Sequence, residues 1–140
     1  MPGHMVLVTN NPKYLPFYSS VDFIDGSSWD VLVKVRDMVH SGWRLLSHPL
    51  CGNFRPYQQP FRSVLMAGCE EKECSVDEYS LSLVEHALSV YRSCQDRLLR
   101  RGVLPYETEE DYSVIDFELM KFTLTQYNLS RKKELEFVQP

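Results

Sequence analysis

Short apolar runs alternate along this chain with longer stretches in which apolar residues recur at helical spacing. Each short run is rich in β-branched residues and ends at turn-forming residues, which is typical of buried strands. The first run, for example, is stopped by Asn10-Asn11-Pro12. The pattern predicts four strands, over residues 5–9, 21–24, 43–46 and 63–67.

Three longer stretches have the apolar periodicity of amphipathic helices. The first begins at Ser27, which has the spacing of a capping box with Asp30, and it ends before Gly42. The second has Ser75 as its expected N-cap, and the third is followed by Asn128, a common helix stop. The later two helices are predicted over 76–101 and 108–127.

The order of these elements predicts one α/β domain over residues 1–140. A chain of 140 residues, 44% of them hydrophobic, is long enough for one hydrophobic core and too short for two cores of the size that stable domains need. A helix between the second and third strands favours a right-handed crossover between parallel strands. We therefore expect a small, mostly parallel sheet of about four strands, covered by three helices and Rossmann-like in outline. Residues 1–4 resemble a cloning remnant, and residues 130–140 form a charged tail.

Polar segments follow the first three predicted strands. If those strands are parallel, the segments leave the same carboxyl edge of the sheet, which is where open α/β sheets bind ligands. The loop from 47 to 60 contains three prolines and a glycine, so it forms neither a continuous helix nor a central strand. Long loops of this kind are commonly functional. The sequence predicts a ligand site there, with Asn10, Asn11, Ser27, Ser47, His48, Gly52 and Arg55 as candidate binding residues.

Several of these residues also fit structural roles. Asn10 and Asn11 can recognise an amide or a carboxylate, or they can cap the turn before Pro12. The segment 26–28 offers backbone N–H groups to an anion, but it lacks a known phosphate-binding motif. A binding role and a turn role therefore both stay open for these positions.

Two arginines flank the proline-rich part of the long loop. Arg55 and Arg62 can clamp a carboxylate with their planar guanidinium groups, or they can pair with the acidic run at 70–73. Surface pairing is the simpler expectation, because exposed arginines commonly pair with neighbouring acids at small energetic value.

His48 and Cys51 raise the alternative that the protein is a small enzyme. They lie three residues apart in one loop, so the imidazole, with the thiol or a bound water, could act on a carboxylate or acyl substrate. No local signature of a cysteine enzyme surrounds them, so no catalytic residue is assigned. His40 and His86 lie in predicted helices without partner ligands, so neither a metal nor a cofactor is expected.

Composition and charge exclude some cellular locations and some classes of partner. The net charge of −4 and the pI near 5.5 argue against nucleic acid or an anionic membrane as the main partner. No apolar run is long enough to cross a bilayer and no signal peptide opens the chain, so a cytoplasmic location is predicted. The four cysteines lack a C-x-x-C pair, which favours reduced thiols. Apolar faces left over on helices 76–101 and 108–127 would form a homodimer surface.

Several motifs in the first hundred residues resemble those of one known family. The matching segments are Val8-Thr9-Asn10-Asn11-Pro12, residues 31–42, Leu45-Leu46-Ser47-His48-Pro49-Leu50 and Ser63-Val64-Leu65, with Pro56 and Pro60 between the last two. On these motifs the chain resembles the GrdX family, small proteins encoded in operons for glycine, sarcosine and betaine reductases. The likeness covers roughly residues 6–100, and the region from Gly102 onward does not visibly match.

The resemblance implies an accessory role beside these reductases. Together with the loops at the carboxyl edge, it predicts a reductase component or a small carboxylate ligand as the partner. Members of the family have small residues where Cys51 stands, which weakens the thiol hypothesis. The family has no established catalytic residue, so none is carried over to this chain.

Overall fold

The computed structural model describes residues 4–51, 58–69, 74–99 and 102–132. Four strands and three helices are present in these ranges, with short 3-10 turns at Pro12–Tyr14 and Gln95–Arg97. The strands are β1 (Met5–Thr9), β2 (Val21–Phe23), β3 (Arg44–Leu45) and β4 (Ser63–Ala67), and the helices are α1 (Ser28–His40), α2 (Glu78–Arg92) and α3 (Tyr106–Gln126).

The four strands form one sheet in the order β2-β1-β4-β3. Strands β1 and β2 are parallel, whereas β4 is antiparallel to both of its neighbours. The prediction of an α/β fold with four strands and three helices is therefore confirmed. The sheet is mixed instead of mostly parallel, because the segment between β3 and β4 returns the chain beside β3 without a described crossover helix. A central antiparallel strand also departs from a Rossmann-like outline.

Strands β1, β2 and β3 nevertheless point in the same direction. Strand β4 is antiparallel to β1 and also to β3, so the two reversals cancel. The carboxyl ends of the first three strands therefore lie at one edge of the sheet, and the amino end of β4 joins them there. We call this edge the polar rim; it contains the chain at 10–11, 24–28, 46–48 and 59–63.

The helices cover both faces of the sheet. Helices α1 and α2 pack on the face that presents Val8, Val64 and Met66, whereas α3 packs on the face that presents Leu7 and Leu65. This division follows from the alternation of side chains along each strand. Strand β4 is buried on both faces, which explains its continuous apolar run after Ser63.

The helix ends show which local signals decide the boundaries. Ser27 and Asp30 form the predicted capping box of α1, and Gly42 has the left-handed φ of 101° that ends the helix region. Asn128 ends the region of α3 with a φ of 57°, also as predicted. Helix α2 is shorter than predicted, because Asp77 and not Ser75 is its N-cap. Its last residue is Arg92, and a separate 3-10 turn follows.

The cysteines differ from the expectation of four reduced thiols. Cys69 and Cys74 form a disulfide with a Cα–Cα distance of 6.2 Å, whereas Cys51 and Cys94 are free. The bond links the end of β4 to the approach to α2, beside the tight turn at Gly42, where an added Cβ would lie 2.8 Å from Cys74 Cβ. The prediction of reduced thiols is wrong for this pair.

Candidate functional site

Asn10 joins three segments of the polar rim. Its Nδ2 donates to the carbonyl oxygens of Gly26 at 3.0 Å and Pro60 at 2.9 Å. Its Oδ1 accepts from the backbone N–H of Arg62 at 2.9 Å. The side chain is fully buried, so its amide is used within the protein. The segments that follow β1 and β2 and the segment that precedes β4 are thus held together at one point.

Asn11 has the turn role that the sequence left open beside a binding role. Its Oδ1 accepts from Lys13 N at 3.1 Å, which caps the 3-10 turn that begins at Pro12. The same oxygen accepts from Ser113 Oγ at 2.9 Å, and Nδ2 donates to the Ser113 carbonyl and to Asp116 Oδ2. Asn11 therefore connects the rim to α3 through a buried amide.

A buried carboxylate lies at the centre of these contacts on the α3 face. Asp116 Oδ2 accepts from Ser63 Oγ at 2.6 Å, from Tyr14 Oη at 2.9 Å and from Asn11 Nδ2 at 3.1 Å. We call the residues that share these bonds the Asp116 cluster; it consists of Thr9, Asn11, Tyr14, Ser63, Ser113 and Asp116.

Burial dominates the electrostatics of the Asp116 cluster. Desolvation raises the pKa of Asp116, although the hydrogen bonds from Ser63, Asn11 and Tyr14 and the charge of Arg62 act in the opposite direction. Burial, followed by the charge of Asp116, also raises the pKa of the Tyr14 phenol. The cluster therefore favours a protonated carboxyl more than water does.

Sequence reasoning missed this cluster, although a signal was present. Ser113, Asp116, Met120 and Leu124 recur at spacings of three and four, so they occupy one face of α3, and all four are buried. Two polar residues in a core-facing stripe indicate a buried hydrogen-bonding site, because buried polar groups need partners.

Arg62 lies on the opposite face of β4, toward α2. Its Nε and Nη2 donate to Tyr91 Oη at 3.3 and 3.0 Å, and its Nη1 donates to the Cys51 carbonyl at 2.9 Å. The residue is only 2% exposed. The expectation of a surface ion pair is therefore wrong for Arg62, since its guanidinium is buried against neutral oxygens.

The other candidate residues divide into structural and exposed positions. Ser27 bonds to Asp30 within the capping box of α1, and Ser47 Oγ accepts from Leu65 N at 2.9 Å. His48 is exposed, and its Nδ1 accepts from Leu50 N at 3.0 Å. The remaining two candidates, Gly52 and Arg55, lie outside the described residues.

The loop that carries His48 and Cys51 forms a turn. Cys51 N donates to the His48 carbonyl at 3.1 Å, and the imidazole Nδ1 is bonded to the backbone of Leu50. The ring nitrogen nearest the backbone is thus an acceptor, which assigns the proton of a neutral imidazole to Nε2. In the described ranges no three His, Cys, Asp or Glu side chains are grouped to hold a metal ion. No helix within them is long and apolar enough to cross a bilayer.

The fold and the rim define a class: a small three-layer α/β/α protein in which buried polar side chains tie several loops to one edge of a mixed sheet. The sequence of the chain matches the family of GrdX-like proteins over residues 6–125. The chain therefore belongs to the GrdX-like protein family. The match extends beyond the visible likeness at 6–100 and includes Asp116 and most of α3. No curated protein and no solved structure matches the chain.

Proposed function

We propose that this GrdX-like protein is a cytoplasmic accessory protein of the glycine, sarcosine and betaine reductase system. It binds a small ligand or a reductase component through the loops of the polar rim. Family membership supports the accessory role. One observation supports the rim as the binding surface: Asn10 bonds to Gly26, Pro60 and Arg62, so separate loops form one unit at the edge where α/β sheets bind ligands.

The hydrogen bonds of the rim assign different roles to the candidate residues. Asn10 and Asn11 position the loops, because their amides are bonded within the protein. Ser27 and Ser47 likewise support α1 and β4. Contact with a protein partner such as a reductase component then falls to exposed groups of the rim, of which His48 is the described candidate.

Replacing His48 with alanine should weaken binding of the partner about tenfold, because the exposed Nε2–H donor is lost without disturbing the core. Isothermal titration with purified reductase components and with small carboxylates measures this effect. The proposal is contradicted if no component or carboxylate binds, or if rim substitutions leave the affinity unchanged.

Cys51→Ala is the matched control in the same loop, and it should leave binding within about twofold. Loss of function in Cys51→Ala would instead support the small enzyme that uses His48 with Cys51. The bonds of this loop favour the binding role, since the described partner of His48 Nδ1 is a backbone N–H.

We also propose a homodimer through the long helices. The sequence predicted an interface that uses both helices, and the proposed interface uses one. Helices α2 and α3 cover opposite faces of the sheet, so a single two-fold interface uses one of them. Helix α3 is favoured, because Phe122 is 77% exposed and Val114 is 41% exposed. Phe122→Glu should convert the dimer to a monomer in light scattering, whereas Tyr79→Glu on α2 should not. A monomeric mass for the unsubstituted protein would refute the dimer.

A further inference from the structure

We propose that Arg62, Ser28 and Gln59 bind a free α-amino acid at the polar rim. The carboxylate of the amino acid pairs with the Arg62 guanidinium, and its N–H group donates to Gln59 Oε1. This inference rests on the proposed function and deepens it, because it names the class of small ligand and the residues that hold it.

The first observation is a buried cation that has no anion in contact among the residues that the structure describes. Arg62 is 2% exposed, and the described partners of its guanidinium are the Tyr91 hydroxyl and the Cys51 carbonyl. Asp116 acts on Arg62 only through its charge, from the other face of β4. A buried guanidinium is costly unless a carboxylate compensates it, and the planar guanidinium suits a bidentate carboxylate.

The second observation is a pair of buried oxygen atoms that lack hydrogen-bond partners. Among the residues that the structure describes, these atoms are Ser28 Oγ and Gln59 Oε1, and both residues are 1% exposed. Buried polar atoms in folded proteins are rarely left unpaired, so each such atom calls for a partner. The hydroxyl of Ser28 can donate a proton, whereas Gln59 Oε1 can only accept one.

The third observation is that the chain segments that carry these three groups are bonded to one another. Asn10 donates to the carbonyls of Gly26 and Pro60 at 3.0 and 2.9 Å and accepts from Arg62 N at 2.9 Å. Ser28 follows Gly26 by two residues, and Gln59 directly precedes Pro60. One amide therefore gathers the three segments that carry the cation, the free hydroxyl and the free carbonyl. Arg62 Nη1 donates to the carbonyl oxygen of Cys51, an exposed residue, so the guanidinium is bonded to a residue at the surface.

The unpaired groups together select a zwitterion. A cation and a hydroxyl donor suit a carboxylate, and a lone carbonyl acceptor suits an ammonium N–H. A free α-amino acid carries both groups on one carbon. A simple carboxylate leaves Gln59 Oε1 unpaired, and a peptide terminus supplies only one of the two groups, so neither completes the site.

Titration calorimetry with four small probes tests the proposal on the full chain. Glycine carries both groups, acetate lacks the nitrogen, betaine has a nitrogen without N–H, and glycinamide lacks the carboxylate. We expect glycine to bind at least about tenfold more tightly than each of the other three, because only glycine pairs all the free groups. Equal affinity for glycine and acetate, or for glycine and betaine, would overturn the proposal.

Three variants test whether glycine binds at Gln59, Ser28 and Arg62. Gln59→Leu should abolish the preference for glycine over acetate, and Ser28→Ala should weaken both carboxylates about fivefold. Arg62→Met should abolish carboxylate binding, with Arg44→Met, an exposed arginine of β3, as the matched control that retains it. Circular dichroism establishes that each variant is folded. If Arg62→Met does not fold, Gln59→Leu and Ser28→Ala still decide the outcome.

The same experiments separate this inference from the proposed function. Buried water could satisfy the same atoms, and glycine would then not bind. If glycine fails to bind while a reductase component or another carboxylate binds in a His48-dependent way, only the amino-acid site is overturned. If no partner binds at the rim, both proposals fail.

Discussion

Asp116→Ala should lower the free energy of unfolding by about 3–5 kcal/mol. The substitution removes the acceptor of three buried donors, which belong to Ser63, Tyr14 and Asn11. These donors come from the sheet and from the turn after β1, so the carboxylate is the main polar link between α3 and the rest of the fold. Each lost bond costs about 1–3 kcal/mol. The sum is reduced because Tyr14 Oη keeps its bond to the Asp116 carbonyl and Ser63 Oγ stays bonded to Thr9 Oγ1.

Urea unfolding followed by circular dichroism measures this loss. Asp111→Ala is the matched control, because Asp111 is an exposed aspartate of the same helix. It should change the stability by no more than about 0.5 kcal/mol. A loss below about 1 kcal/mol in Asp116→Ala would contradict a central role for the buried carboxylate.

The pH dependence of the same variant provides an independent signature. Burial raises the pKa of Asp116 in the native state above that of the unfolded chain, which is about 3.9. The native state thus binds the proton more tightly, and the contribution of Asp116 to stability is greatest below the unfolded pKa. It declines as the pH rises through the native pKa. The stability difference between the wild type and Asp116→Ala should therefore be larger at acidic pH than at alkaline pH.

The local elements of this fold could be predicted because their signals are short in range. The capping box at Ser27 and the stops at Gly42 and Asn128 each depend on a few neighbouring residues, and the structure confirms all three. The position of β4 in the sheet could not be predicted in this way. Its pairing with β1 and β3 depends on contacts distant in sequence, and a short apolar run carries no information about direction.

For the candidate site, the sequence placed the segments after β1, β2 and β3 at one edge of the sheet but did not give the roles of individual residues. The edge of the sheet could be predicted from the order of the strands. The roles of individual residues depend on which side chains are buried, and the sequence does not reveal that. Arg62 was expected at the surface because most arginines are exposed, yet it directly precedes the buried strand β4 and is itself buried. The role of Asp116 could not be predicted from apolar periodicity, because two of the four buried residues of α3, Ser113 and Asp116, are polar.

Asn10→Ala should lower the free energy of unfolding by about 3 kcal/mol and release the loops of the polar rim. The variant leaves the carbonyls of Gly26 and Pro60 and the N–H of Arg62 without their shared partner. Because these groups lie around a fully buried side chain, water cannot replace the lost bonds without opening the rim. Native-state hydrogen exchange should show faster exchange of the Arg62 amide, and urea unfolding should show the loss of stability.

Asn10→Asp separates the hydrogen bonds of this residue from its volume. Aspartate has almost the same size and can still accept from Arg62 N, but its second oxygen faces the carbonyls of Gly26 and Pro60. We expect this variant to be at least as unstable as Asn10→Ala at neutral pH, since acceptors then oppose acceptors. Gln126→Ala, which removes an exposed amide at the end of α3, should change the stability by less than about 0.5 kcal/mol. If Asn10→Asp were as stable as the wild type, the two carbonyl bonds would contribute nothing, and the loops of the rim would be held together by other contacts.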